Sequence, residues 1–303
     1  MPGDFSPIKG AQPVEYAEET EYATELPDTT AYNWFGIVTS WSADQGVEST
    51  SITYLPEYGA SNKLEKRVNV KLREMYEGEI TYHPQGDFSF LQYFTGSEGG
   101  TADDVTSLQV GEINESDSTF RRLLGGVGEE ITVSVAEDEV VEVNGSFTFG
   151  EATDWSSTDY TDTDGSHATE DTTEPWSYDN LGSVTYGGTE MDGAIDSVEL
   201  TISNDLAVVR DANSELSTQI DAIVPVDREI TVSVEFTYDN FDILNEVRAY
   251  EAKDFVFEIG NTTFTVGGVK FPEAPYEFTA DDLVADSLDS DPANSLSWTT
   301  TTP

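Results

Sequence analysis

The chain has 303 residues, 60 of them acidic and 13 basic, for a formal net charge of −47, together with 15 Phe, 14 Tyr and 5 Trp. So many aromatics supply a substantial core and exclude a disordered acidic tail; the charge argues against a protein that grips DNA, because neutralising phosphates takes a basic patch. With no cysteine, disulfides and thiolate metal sites are excluded as well.

In chain order, residues 1–33 read as an extended amino-terminal arm. GIVTSW (Gly36–Trp41) reads as a strand, followed by a long polar connection, Ala43–Val70. REMYEGEITYHPQGDFSFL (Arg73–Leu91) alternates Tyr76, Ile80 and Tyr82 with Glu77, Glu79 and Thr81, the pattern of a half-buried antiparallel strand. A short helix is expected over Phe88–Phe94. EITVSVAED and VVEVNGSFTF then make a hairpin, with Ile131, Val133, Val135, Val141, Val143, Phe147 and Phe149 as its apolar positions. DWSSTDYTDTDGSHATEDTTEPW (Asp154–Trp176) is rich in Ser, Thr, Asp and Gly without periodicity, and reads as a linker.

The second half opens with GAIDSV (Gly193–Val198) and a polar connection, Ser203–Asp227. REITVSVEFTY follows, with Ile230, Val232, Val234, Phe236 and Tyr238 on one face. A short helix is expected over Phe241–Val247. KDFVFEIGNTTFTV forms a hairpin turning at Gly260-Asn261. A third helix is expected over Ala280–Ser287, capped by Thr279, and the chain ends in an extended tail after Asp289. The class is mainly β.

The two halves spell the same order: strand, long connection, Arg-Glu strand, short helix, Gly-Gly-Val, hairpin. Their offset drifts from 157 residues at Gly36/Gly193 through 155 at Arg73/Arg228 to 142 at Gly125/Gly267, as loop insertions would make it. Preserved order makes a tandem duplication the better reading.

Acid runs along the whole sequence instead of gathering in one block, and only six of the basic residues are lysines. Such a surface repels itself at ordinary ionic strength and suits molar salt, where the Debye length falls to about 3 Å. The even spread favours this reading over an acidic protein that binds cations or mimics nucleic acid. No stretch approaches the roughly 18 apolar residues of a membrane span. MPGDFSPIKGAQPVEYAEETEY has neither the basic start nor the apolar core of a secretion signal, so synthesis in the cytoplasm is expected.

Catalytic chemistry finds little support. His83 and His167 sit in polar stretches and read as solvent-facing, with no nucleophile elbow to make a triad. Paired carboxylates are uninformative among 60 acids. DTDGS (Asp162–Ser166) fails as an EF-hand loop, since that register puts Tyr160 first and Asp171 twelfth, leaving at most loose cation binding. The sequons at Asn114, Asn144 and Asn261 read as accidental without a secretion signal. No enzyme, cofactor or metal is expected. One segment departs from the acidity: NKLEKRVNVKLR (Asn62–Arg73) holds five of the 13 basic residues. Either these cations pair with acids of their own subunit or they meet an acidic neighbour.

GAIDSVELTISNDL and VPVDREITVSVEFTYDN, with the weaker first copy, resemble the major tail tube proteins of long-tailed viruses. The resemblance implies β-sandwich or half-barrel domains with a short helix, whose inner sheets join into a closed β-barrel ring. On that pattern the chain divides into an arm (1–33), a tube-fold domain (34–153), an acidic linker (154–185), a second tube-fold domain (186–289) and a tail (290–303). Three copies would then place six folds around a ring, with a hexamer as the alternative. The resemblance further implies a virion tail of stacked rings, other tail proteins at its ends and DNA passing without specific binding. The extreme acidity fits a virus of a haloarchaeon. Lys63, Lys66, Arg67, Arg73, Arg210 and Arg228 are the candidate assembly residues, with Ala43–Val70 and Ser203–Asp227 reaching between rings. A tandem β-sandwich adhesin and a capsid-decoration protein are the alternatives.

Overall fold

A computed structural model describes residues 14–54, 66–96, 105–115, 117–161, 165–169, 171, 173–191, 195–209, 220, 222–236, 242–273, 276–278, 283–285 and 287–301. The first half holds β1 (Val14–Glu18), β2 (Asn33–Trp34), β3 (Ile37–Tyr54) and β4 (Lys66–His83), then a 3₁₀ turn at Ser89–Leu91 leading into α1 (Gln92–Thr95). β5 (Leu108–Asn114), β6 (Thr119–Ala136), β7 (Glu142–Phe149) and β8 (Glu151–Ala152) follow. The second half holds β9 (Leu181–Tyr186), β10 (Thr189–Glu190), β11 (Ile195–Val209), β12 (Ala222–Phe236) and α2 (Asp242–Arg248). It ends with β13 (Lys253–Ile259), β14 (Thr262–Val269), β15 (Tyr276–Phe278), β16 (Leu283–Ala285), β17 (Leu288–Asp289) and β18 (Ser295–Thr300).

Six long strands lie side by side in the order β3-β4-β7-β6-β11-β12, every neighbouring pair antiparallel, and β17 touches β12 at Ser233 and Val234. Residues of both halves therefore share one sheet. A second layer is made by β5, β1 and β2 in the first half and by β10-β9-β13-β14-β18 in the second. β6 belongs to both layers of its half: Leu123 and Arg122 pair with β5, while Ile131–Ser134 pair with β7 and β11. It changes layer at Gly125-Gly126-Val127-Gly128. Gly125 takes a positive φ of 66°, and a Cβ at Gly128 would strike the Phe94 ring. Glycine there lets the strand bend and α1 lie on bare backbone.

Alternation fills the space between the layers. Ile80, Tyr82, Val143, Phe147, Ile131, Val133, Val198, Leu200, Val232 and Val234 are all buried, and one continuous core runs through both halves. Phe88 bridges them, with its ring 4.9 Å from Trp176 and 5.1 Å, edge-on, from Phe264. α1 ends at a second bridge. The buried Asn204 of β11 donates to the carbonyls of Phe94 (3.1 Å) and Gly128 (3.0 Å) and accepts from Arg228 Nε (2.8 Å). Arg228 also reaches the Thr95 carbonyl at 3.3 Å, and Trp298 Nε1 donates to Thr95 Oγ1 at 3.2 Å. Strands of the second half thus satisfy carbonyls at the end of a first-half helix.

Several expectations change. Ala43–Val70 is no simple connection: β3 runs to Tyr54 and β4 starts at Lys66, so a long hairpin occupies it. Ser203–Asp227 is likewise β11 and β12 continued to Val209 and from Ala222. The helix expected over Ala280–Ser287 is replaced at Leu283–Ala285 by β16, where cross-strand pairing with Tyr276–Phe278 overrides local helix propensity. Within the arm, β1 is inserted between β5 and β2; within the tail, β18 borders β14. The helices near Phe88–Phe94 and Phe241–Val247, and both expected hairpins, are present, Gly260 turning the second with a φ of 59°.

Asn204→Ala removes a buried side chain that serves two carbonyls and a guanidinium, so a loss of about 1–3 kcal/mol is expected in denaturant titration. Ser203→Ala, on the opposite face, should change stability by less than about 0.5 kcal/mol.

Candidate functional site

The outer face of the six-strand sheet is polar from edge to edge. Because directly paired residues share a face, the register assembles three rows across the strands. The first reads Ser42, Glu79, Ser146, Glu130, Ser203, Glu229. The second reads Ser40, Thr81, Asn144, Thr132, Thr201, Thr231. The third, starting at β7, reads Glu142, Ser134, Glu199, Ser233, Asp289. None of these residues is basic or apolar.

In the first and third rows acid and hydroxyl alternate. Like charges directly opposite one another destabilise a sheet; a serine between each pair sets the carboxylates two strands apart, about 10 Å. That is comparable to the Debye length at 0.1 M salt, about 10 Å, and far beyond the value of about 3 Å at 1 M. The uncharged middle row is tied laterally: Thr81 Oγ1 donates to Asn144 Oδ1 at 2.7 Å, and the Thr132 and Thr201 hydroxyls lie 3.1 Å apart. Asn144 Nδ2 donates to Glu142 Oε1 at 3.0 Å, joining the middle row to the third. Glu77, Glu79, Glu129, Glu130, Ser146 and Asp205 line a groove of about 370 Å³ on this face. These three rows offer a polyanion no cation.

Lys66, Arg67 and Arg73 fall on β4, in the part of the β3–β4 hairpin where the backbone alone is described. Arg228 lies on β12 and holds Asn204 and the end of α1. Lys63 and Arg210 lie outside the described residues. Among the four described candidates, Arg228 works within the chain, while Lys66, Arg67 and Arg73 sit on a strand four places away in the sheet order. Two arginines that were not candidates are paired internally, Arg121 with the buried Glu112 and Arg122 with Glu25 at 2.8 Å. The polar rows were also missed. Their signal is present in EITVSVAED and EITVSVEFTY, whose outward positions are confined to Glu, Thr, Ser, Ala and Asp.

Nor is His167 a bystander. Its Nδ1 lies 2.8 Å from Glu15 Oε1 and its Nε2 3.1 Å from Asp159 Oδ2, so an imidazolium donates at both nitrogens. Glu15, only 3% exposed, also accepts from the Tyr160 hydroxyl (2.8 Å) and the Ala168 N–H (2.6 Å). Phe120 stacks on the imidazole. The cluster pins the segment after β8 onto β1. His83, half-buried, has Nδ1 2.9 Å from the Val141 carbonyl. His167 Nε2 also lies 3.3 Å from the Thr161 hydroxyl, which donates to Asp159 Oδ1 at 2.9 Å.

The family model described as phage tail tube protein matches residues 14–299. No curated protein matches the chain.

A pH dependence follows from the Glu15 cluster. Burial draws the His167 pKa down, but its bonds to Glu15 and Asp159 outweigh that and raise it above its ordinary value. For Asp159, burial pushes upward and bonds from Thr161 and His167 win, lowering its pKa. The raised imidazole contributes stability fully below its unfolded pKa of about 6.5, lost as pH rises through the folded value; the lowered carboxylate contributes above about 3.9, lost as pH falls. At fixed molar salt, Tm should therefore decline as pH rises from about 6 to 8. His167→Gln should flatten that decline, and an unchanged slope in the variant would refute the assignment.

Proposed function

Because the chain belongs to the phage tail tube proteins, we propose that it polymerises head to tail into rings that stack as the hollow conduit for viral DNA. The structural tail role comes with the family; ring geometry and conduit are inferred from the sheet.

The observation that carries the reading is how the two edges match. Among the described residues β3 pairs only with β4, and the outer edge of β12 is covered from Ile230 to Val234 by the Leu288–Ala293 segment, with Ala222–Glu229 carrying no strand on that side. Six alternating strands leave β3 and β12 running in opposite directions, so β12 of one copy can pair antiparallel with β3 of the next. The first row starts at Ser42 and ends at Glu229, so placing that Glu beside the next copy's Ser continues the alternation across the seam. Unpaired edges are a hazard in a monomer, and closure removes them.

The corresponding hairpins β3–β4 and β11–β12, each followed by a short helix, support two tube folds per chain and hence a trimeric ring with six-fold pseudo-symmetry. Glu79, Glu130, Glu229 and their hydroxyl neighbours would then line the lumen, where DNA slides past a wall of its own sign. Lys63, Lys66, Arg67, Arg73 and Arg210 remain candidate contacts between copies. Charge of −47 further supports a host cytoplasm of molar salt, as in haloarchaea.

Electron microscopy of the purified protein in molar KCl should show tubes or stacked rings built from three chains; six chains per ring would overturn the duplicated-fold reading. Dialysis below about 0.5 M salt, where screening weakens, should dissociate or unfold the protein. Unchanged particle size and circular dichroism in low salt would refute the halophilic reading. A Glu79→Lys, Glu130→Lys, Glu229→Lys variant should still form tubes but retain DNA in a gel-shift assay, where the parent does not.

A further inference from the structure

Six large apolar side chains stand exposed among the described residues, and three of them, Val209 (47%), Val224 (43%) and Val226 (66%), share one hairpin. This is the part of β11–β12 that runs beyond the joined sheet, with Ala207 opposite Val224 and Val209 opposite Ala222. Its two faces differ. Leu206, Val208 and Ile223 pack with Val127 and Ile220 of the same chain. Ala207, Val209, Ala222 and Val224 face the other way, and Val226 bulges out where the register shifts beside Asp205. An uncovered apolar strip on a chain of charge −47 marks a contact surface.

Strand direction identifies what can reach it. β3 and β11 run the same way through the six-strand order, so the β3–β4 and β11–β12 turns emerge at the same end of the sheet. They stand at opposite edges of one chain, and head-to-tail pairing sets them side by side in neighbouring copies. Their charges complement each other. The β3–β4 extension carries Lys66, Arg67, Lys71 and Arg73 with Val47, Ile52, Val68 and Val70, whereas Asp205 and Asp227 bound the β11–β12 strip.

We propose that the apolar strip of the β11–β12 extension docks on the β3–β4 extension of a second copy of this chain. The proposal rests on the ring reading above and adds to the strand-edge seam a second contact of different chemistry, apolar at its centre and ionic at its rim. High salt screens the rim but strengthens the apolar centre, so the contact suits the medium that the acidity calls for.

The cysteine-free chain makes the test direct. Val224→Cys and Thr50→Cys variants, Thr50 being paired with Val70 on the face of Ile52 and Val68, mixed in molar KCl under mild oxidation, should give a disulfide-linked dimer that neither forms alone. Self-linking of Val224→Cys, or no mixed product from a protein that forms tubes, would overturn the docking. A Val224→Asp, Val226→Asp variant with unchanged circular dichroism should assemble at least about tenfold more weakly; assembly at parental strength would refute the proposal. If the parent forms no rings the ring reading itself fails, and the mixed cross-link then decides alone whether these hairpins meet.

Discussion

Seven consecutive residue pairs between β6 and β11, from Glu130 with Ser203 to Ala136 with Ser197, hold the architecture together. Remove them and each half presents another long unpaired edge, a template for stray pairing. With them in place, Ile131, Val133 and Val135 turn inward beside Val198, Leu200 and Ile202, and the polar residues between them align outward. A slip of one residue would exchange the two sets and bring valines to the surface. The clasp of Asn204 and Arg228 on α1, and Phe88 between Trp176 and Phe264, reinforce that register from the core side.

The same sheet shows how so acidic a chain can fold. Along the three rows each charge meets a hydroxyl across the strand, whereas Asp44 faces Glu77 and Asp205 faces Asp227 directly, and two buried carboxylates each have a cation beside them. Arg121 reaches Glu112, and His167 reaches Glu15. Carboxylates out of water need partners, and carboxylates in water need distance or salt. Residue placement meets the first need at Glu15 and Glu112 and the second along the three rows, and leaves the facing pairs Asp44–Glu77 and Asp205–Asp227 to salt.

Period-two alternation made the class and most strands readable: the inward residues of Ile230–Phe236 and Ile131–Val135 are the buried ones. The hairpin extensions were missed because STSITY is mostly hydroxyl and gives little strand signal, although RVNVKLR opposite it alternates Val68, Val70 and Leu72 with Arg67, Asn69, Lys71 and Arg73. Leu283–Ala285 was misread because the pairing that makes it a strand comes from Tyr276–Phe278, which local propensity does not register. The polar rows needed the register between strands far apart in sequence, and His167 needed Glu15 across 152 positions. Alternation shows that a strand has two faces; it does not say what lies beside each residue.

One consequence concerns how such chains would meet. The seam between β6 and β11 is tethered within one polypeptide, so its effective concentration is set by the linker and does not fall when the protein is diluted. Where a single-fold subunit would have to find a neighbour for every seam, this chain arrives with one already made. On the proposed trimeric ring, assembly would then have half as many encounters to complete, and scarcity of protein would weaken only the seams between chains.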